Sequence, residues 1–383
     1  MNQFLRFPQS RIWRYLAQVA VLGVAYAVGA RLAFSIQGVS AFASSVWPPA
    51  GIAQAGLLLF GRKAWPAIVL GIFLLDLVNP HEKILAVWFG GAAGGILQAT
   101  FAVTLLRRIG FNPAINSLKD VVKLVIGGGI VSTQISCTIG ALSIYLAGKI
   151  NWAEYWQVRW NWWLGDTMGV LILTPLILIF CRPKQTVDLL KDPKGISNYW
   201  FWRVIWLLLL LGVSLLVFES KNEASISHYP LEYLPFPLII WAAIQFGQRG
   251  AVLASFIVSS IAIWGGSQGG GPFIAKAENI SQAILFLQAF MGVITITSLL
   301  LSATVAERAA AENLLRDSEI KYRELVENAH SIIVKLDANG KITFFNEFAE
   351  IFFGYTQEEI IGKSAVETIL PSTDIDGNNL ELI

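Results

Sequence analysis

Charge is what this chain has least of. Lys, Arg, Asp and Glu together make up 14% of its 383 residues, where ordinary soluble domains carry roughly a quarter. Hydrophobic residues reach 55%, so most of the length needs a solvent other than water. A formal net charge of +2 is nearly neutral and says nothing about nucleic acid, which is not among the expected partners. Two cysteines, Cys137 and Cys181, make no disulfide framework and read as packed thiols. Three histidines, His81, His228 and His330, are scattered and give no metal-ligand spacing. There is no Walker loop, nucleophile–base pair, phosphoacceptor region, ATP-binding box or cyclase motif. No catalytic residue and no cofactor signature is identified.

What is present is a series of apolar runs up to about Ser302. A bilayer core takes roughly twenty apolar residues per helix. Ten runs qualify or nearly do: Trp13–Ile36, Phe42–Phe60, Ala64–Val78, Ile84–Leu106, Leu118–Leu146, Trp162–Cys181, Val204–Phe218, Leu231–Phe246, Ala251–Trp264 and Ile280–Ser302. Eight spans is the alternative, if a short pair stays on one side. The first run is too long for a signal-peptide core and reads as a retained span. With the N-terminus inside, the inner connections collect about fourteen Lys and Arg and the outer ones about five. That predicts cytoplasmic termini.

Ionisable groups inside spans are costly and mark candidate sites. Arg31, Asp76 and Asp166 fall in the outer half under this orientation, and His81, Glu82, Glu154, Arg159 and His228 lie in outer loops. Arg31 can instead snorkel outward, and Asp76 can cap a helix end. Asp166, in Trp162-Trp163-Leu164-Gly165-Asp166, has apolar sequence on both sides. It is expected to pair with Arg31 or Arg159, or to line a wet cavity. Trp47-Pro48-Pro49 breaks the second run, because two prolines suit a helix start and not its interior. Ligand or docking candidates are therefore Arg31, Trp47, Pro48, Pro49, Asp76, Arg159, Trp163 and Asp166. Gly90 to Gly95 and Gly127-Gly128-Gly129 read as close helix contacts.

The order of Trp47-Pro48-Pro49-Ala50-Gly51, Leu58-Leu59-Phe60-Gly61-Arg62-Lys63-Ala64-Trp65-Pro66, Trp162-Trp163-Leu164-Gly165-Asp166 and Phe246-Gly247-Gln248-Arg249-Gly250-Ala251 resembles the membrane-associated sensor family, type one. The resemblance covers roughly Val19 to Leu301. It implies a bacterial input domain that precedes a histidine kinase, diguanylate cyclase or phosphodiesterase, often through a PAS domain. Asp76 departs from the family's expected neutral residue.

After Ser302 the chain turns polar. Leu315, Tyr322, Leu325 and Ala329 follow a coiled-coil a/d rhythm, with packing on the helix's own domain as the alternative. Ser331 to Leu336 and Lys341 to Phe345 read as a hairpin around Asp337-Ala338-Asn339-Gly340. Asn346 is placed to cap a helix over Glu347–Phe353, and Thr356-Gln357-Glu358-Glu359 is a capping box. This segment resembles the start of a PAS domain, whose remaining three strands are expected beyond Ile383.

The predicted architecture is an α-helical membrane bundle (1–302), a linker helix (303–317) and an incomplete α/β PAS fold (318–383). The predicted function is a signal-receptor input module. Its expected partners are the lipid bilayer, a second copy of the chain, and a membrane partner if the outer face docks one. A response regulator or a cyclic dinucleotide pathway would follow downstream. A solute transporter with a regulatory PAS domain, or a docking scaffold, are the other classes.

Overall fold

The computed structural model describes residues 10–35, 45–78, 85–181, 196–219, 229–371 and 373. His81, Glu82, His228 and most of the basic connection after Arg182 lie outside the described residues. The chain divides into two compact units, Met1–Glu307 and Arg308–Ile383.

The first unit is helical: α1 (Arg11–Ser35), α2 (Pro48–Phe60), α3 (Pro66–Val78), α4 (Leu85–Arg108), α5 (Leu118–Lys123), α6 (Thr133–Leu146), α7 (Trp152–Phe180), α8 (Ile196–Phe218), α9 (Phe236–Gln245), α10 (Gly247–Ser267) and the short α11 (Pro272–Lys276). Helix α12 (Ile280–Glu327) begins here and runs unbroken for 48 residues.

Each of the ten apolar runs meets a helix, and among the described residues seven helices are long and apolar enough to cross a membrane alone. α2 and α3 have 13 residues each and α9 has 10. Thirteen residues rise about 20 Å, short of a hydrocarbon core of about 30 Å. The local sequence explains the shortness. Prolines start these helices late, and Gly61, at φ 93°, ends α2 in a conformation that favours glycine.

Helices inside a bilayer gain nothing from leaving water, so close packing of small residues holds them together. Gly51 and Gly169 carry one of the tightest crossings. A Cβ at Gly51 would stand 2.1 Å from the Gly169 carbonyl oxygen, and one at Gly169 would stand 2.0 Å from the Trp47 carbonyl oxygen. Gly90 and Gly94 let α4 approach Ser143 and Ser136 of α6 in the same way. The Gly127-Gly128-Gly129 run does something the sequence did not announce. It lies in a π-helical segment, Leu124–Val131, that links α5 to α6. Such wider turns are rare and frequent at functional sites.

The second unit holds the end of α12, then β1 (Val334–Leu336), β2 (Ile342–Phe345), α13 (Glu347–Phe353), α14 (Gln357–Ile360) and α15 (Ala365–Thr368). β1 and β2 pair antiparallel, Val334 opposite Phe345, with a register shift between Lys335 and Leu336. Asp337 closes the turn by accepting from the backbone N–H groups of Asn339 and Lys341. Ile342, Phe345, Ala349 and Ile360 form a small buried core. The Thr356–Glu359 capping box is present, and Gly354 ends α13 in the left-handed conformation.

Asn346 is buried and fully engaged. Its Oδ1 accepts from Ala349 N at 3.1 Å, which caps α13, and from Ile333 N at 3.0 Å. Its Nδ2 donates to Val326 O at 3.1 Å and Ser331 O at 3.0 Å. One side chain therefore ties the last turn of α12 to the hairpin. The extension of the a/d rhythm of Leu315, Tyr322 and Leu325 to Ala329 is corrected by the same geometry. α12 stops at Glu327, and Ala329 lies in the connection gathered around Asn346. Leu315, Tyr322 and Leu325 do lie on α12 and are 72%, 69% and 73% exposed, so they do not pack on their own unit.

Candidate functional site

Asp166 sits near the middle of α7 and is 1% exposed. The expected cation is not its partner. Ser136 of α6 donates to its Oδ2. Oδ1 has no hydrogen-bond partner among the described residues; the Trp162 indole approaches the carboxylate without completing that bond. Arg159 turns instead to Gln134 and Thr138 of α6. Being partly exposed, it can stay close to water, and pairing with a buried carboxylate would desolvate both charges.

The residues around Asp166 form a connected polar layer. Thr133 and Thr167 hydroxyls meet at 3.1 Å, and Thr133 O lies 3.1 Å from Ser136 Oγ as an alternative acceptor for its one proton. Thr133 and Ser132 donate back to Gly129 O and Gly128 O. The wide turns of the π segment thus end on side chains that touch the Asp166 cluster. Trp163 seals the same segment by donating from its indole Nε1 to Ile130 O at 3.0 Å.

The Trp47-Pro48-Pro49 break lies directly against this layer. Backbone of irregular shape at membrane depth must find partners inside the protein. Trp47 N donates to Gly165 O at 2.9 Å, one residue before Asp166, and Gln288 Nε2 of α12 donates to Ser45 O at 2.8 Å. The Trp47 ring meets Phe34 edge-on at 5.2 Å, and Tyr26 of α1 is its hydrogen-bond neighbour. The lead-in to α2 therefore touches α1, α7 and α12 at once. α2 begins at Pro48, with Trp47 in the N-cap position.

Arg31 and Asp76 stand on α1 and α3. These helices run parallel: Tyr15 reaches Lys63 O, and Gly23 and Gly71 abut Leu70 and Tyr26. That register brings Arg31 and Asp76 to one level. The structure thus gathers Trp47, Pro48, Pro49, Trp163 and Asp166, and places Arg159 beside them on the exposed side.

Several members of the layer escaped the sequence reading. Tyr26, Thr133, Ser136 and Thr167 look unremarkable in apolar runs. Gln54, Gln98 and Gln288 carried a visible signal, an amide within a span, and were passed over. Gln54 is fully buried with neither amide atom hydrogen-bonded, and Gln98 Nε2 is likewise unpartnered. Among the described residues no group of three or more His, Cys, Asp or Glu side chains could hold a metal ion.

Comparison with known proteins accords with this layout. The chain is 21% identical over 330 residues to a Probable diguanylate cyclase of Escherichia coli strain K12, 83% of this chain and 27% of that one. It is 22% identical over 198 residues to a protein of Thermococcus kodakarensis named Putative phosphate permease, 50% of this chain and 44% of that one. An uncharacterized protein of Azorhizobium caulinodans is 35% identical over 74 residues, 19% of this chain and 10% of that one. The chain thus spans less than half the length of these curated relatives. No solved structure matches it. The PAS fold profile matches residues 320–381, where the hairpin and its Asn-capped helix lie. The profile of MASE1 matches residues 18–309, from α1 into α12, and this membrane chain belongs to the MASE1 family.

Proposed function

We propose that this chain is the input half of a bacterial inner-membrane receptor, with both termini in the cytoplasm and an output domain elsewhere in the full protein. The cue acts at the Asp166 layer or on the outer loops beside it. The lead-in to α2 passes the change to α12, and α12 passes it to the PAS unit. The observation that carries this reading is α12 itself. It accepts no break between Gln288, bonded to Ser45 O beside the polar layer, and Val326, bonded to Asn346. Glu307 adds an anchor on the way, accepting from Leu118 N at the start of α5.

The output is a histidine kinase or a diguanylate cyclase, and the matched cyclase of E. coli favours the second. The exposed stripe of Leu315, Tyr322 and Leu325 suits a parallel pairing of two copies. A membrane partner docked at the outer face is the other way to deliver the cue.

A fusion of the full chain to a diguanylate cyclase reporter tests the relay. A short flexible insertion after Val305 breaks the helix and is expected to lower regulated output about tenfold, a common size for coupling between sites. Unchanged regulation would sink helical transmission. Asp166→Asn keeps an acceptor for Ser136 and should fold normally. It is expected to shift basal output about fivefold, and an unaltered output would remove Asp166 from the signal path.

A transport reading is favoured by one observation, the match of half this chain to the protein named Putative phosphate permease. Phosphate uptake into proteoliposomes holding the full chain would favour it. Tight vesicles with no uptake would leave the receptor reading in place.

A further inference from the structure

A groove of about 460 Å³ opens on the lipid-facing side of the bundle between α4 and α6. Its floor is apolar: Leu97 and Phe101 of α4, both exposed, and Ile135 of α6. One end is closed by Arg62, in the tight turn between α2 and α3. Arg62 Nη1 donates to Thr104 Oγ1 at 3.1 Å. That hydroxyl donates to Thr100 O, so Thr104 fixes the guanidinium without neutralising it. Arg62 forms no ion pair among the described residues, and 48–75 and 85–119 contain no Asp or Glu at all. Lys63 is exposed beside it, and Arg107 and Arg108 are exposed within one turn of Thr104 on α4. Trp65, 44% exposed in the same turn, marks the level as a membrane interface.

An apolar channel along a lipid-facing helix pair, ending on an uncompensated guanidinium at the interface, has the polarity of one kind of molecule. The hydrocarbon chain lies on Leu97, Phe101 and Ile135, and the headgroup phosphate meets Arg62. A guanidinium binds phosphate oxygens through paired donors and is easily stripped of water. Basic pockets between membrane helices select anionic headgroups on this physical ground. We infer that the groove bounded by Arg62, Thr104, Phe101 and Ile135 is a binding site for an anionic phospholipid of the surrounding leaflet. The site is independent of the signalling reading and stands whether the protein relays or transports.

The test uses the full chain in bilayer discs, with a photo-crosslinking phenylalanine analogue at Phe101. Discs contain phosphatidylglycerol and phosphatidylcholine at equal mole fraction, and mass spectrometry counts lipid adducts. Phosphatidylglycerol should be captured roughly fivefold over phosphatidylcholine, about the worth of one basic residue at an anionic surface. Arg62→Gln should bring the two to parity. Should that variant fail to fold, Thr104→Val loosens the same guanidinium and should lower the preference about twofold. Equal capture of both lipids by the native chain would overturn the assignment. So would an undiminished preference in Arg62→Gln, or loss of lipid capture on adding millimolar inorganic phosphate, which would make the site one for a free anion.

Discussion

Gly169→Ala is expected to destabilise the membrane unit strongly. The added methyl would stand 2.0 Å from the Trp47 carbonyl oxygen and 2.7 Å from its carbon. These are backbone atoms, and they are not free to yield. Trp47 N is bonded to Gly165 O, Trp47 O accepts from Ala50 N, and Ser45 O is held by Gln288. Relief requires separating α2 from α7, which also opens the Thr174–Gly51 hydrogen bond. Overpacking of this kind costs about 3 kcal/mol. Thermal unfolding of the detergent-solubilised full chain should show a clear loss against Gly91→Ala. Gly91 has open space around it, and alanine there favours the helix by about 1 kcal/mol. Equal melting of the two variants would mean that α2 and α7 cross elsewhere.

Asn346→Ala should loosen the PAS unit while sparing the bundle. The substitution removes one helix cap, worth about 1 kcal/mol, and strands the N–H of Ile333 and the carbonyls of Val326 and Ser331. These backbone groups are only part-buried and Ser331 is exposed, so water replaces part of the lost bonding and a total of about 2 kcal/mol is expected. Hydrogen exchange on the full chain reads it directly. Protection should fall in residues 331–349 and in the last turn of α12, and stay unchanged in α7. Asn346→Asp keeps the acceptor but loses both donors and sets a negative charge against two carbonyls. It should restore the α13 cap and not the tie to Val326. Unchanged exchange at Val326 in both variants would show that α12 is held by other contacts.

The contrast between the two units explains what could be read from sequence. In the PAS segment the decisive residues act over three or four positions. Asn346 caps its own helix, Thr356 and Glu359 exchange bonds, and Gly340 and Gly354 supply positive φ. Local chemistry of this kind is visible in a string of letters. The remaining bonds of Asn346 reach back fifteen and twenty positions, and they explain why the heptad rhythm carried Ala329 too far.

In the membrane unit Asp166 was conspicuous because charge is rare there. Its partner was not, because Ser136 lies thirty residues away and is one of many hydroxyls in the spans. The expectation of a cation weighed charge against charge. It left out that a serine hydroxyl satisfies one carboxylate oxygen without burying a second ion. The run of three glycines was seen as a contact surface, and its five-residue hydrogen bonding was invisible to a period of 3.6.

That π segment also sets the phase of the helix that follows it. Helices wound with i to i+5 bonds are wider than α and hold more residues per turn. Re-winding Leu124–Val131 as α would turn everything after it by about 100° and lift it by about 1.5 Å for each residue gained. Ser136 would then leave Asp166, Thr133 would leave Thr167, and Gly90 and Gly94 would lose their serine counterparts. The meeting of the Ser136 hydroxyl with Asp166 therefore depends on how the eight residues Leu124–Val131 are wound.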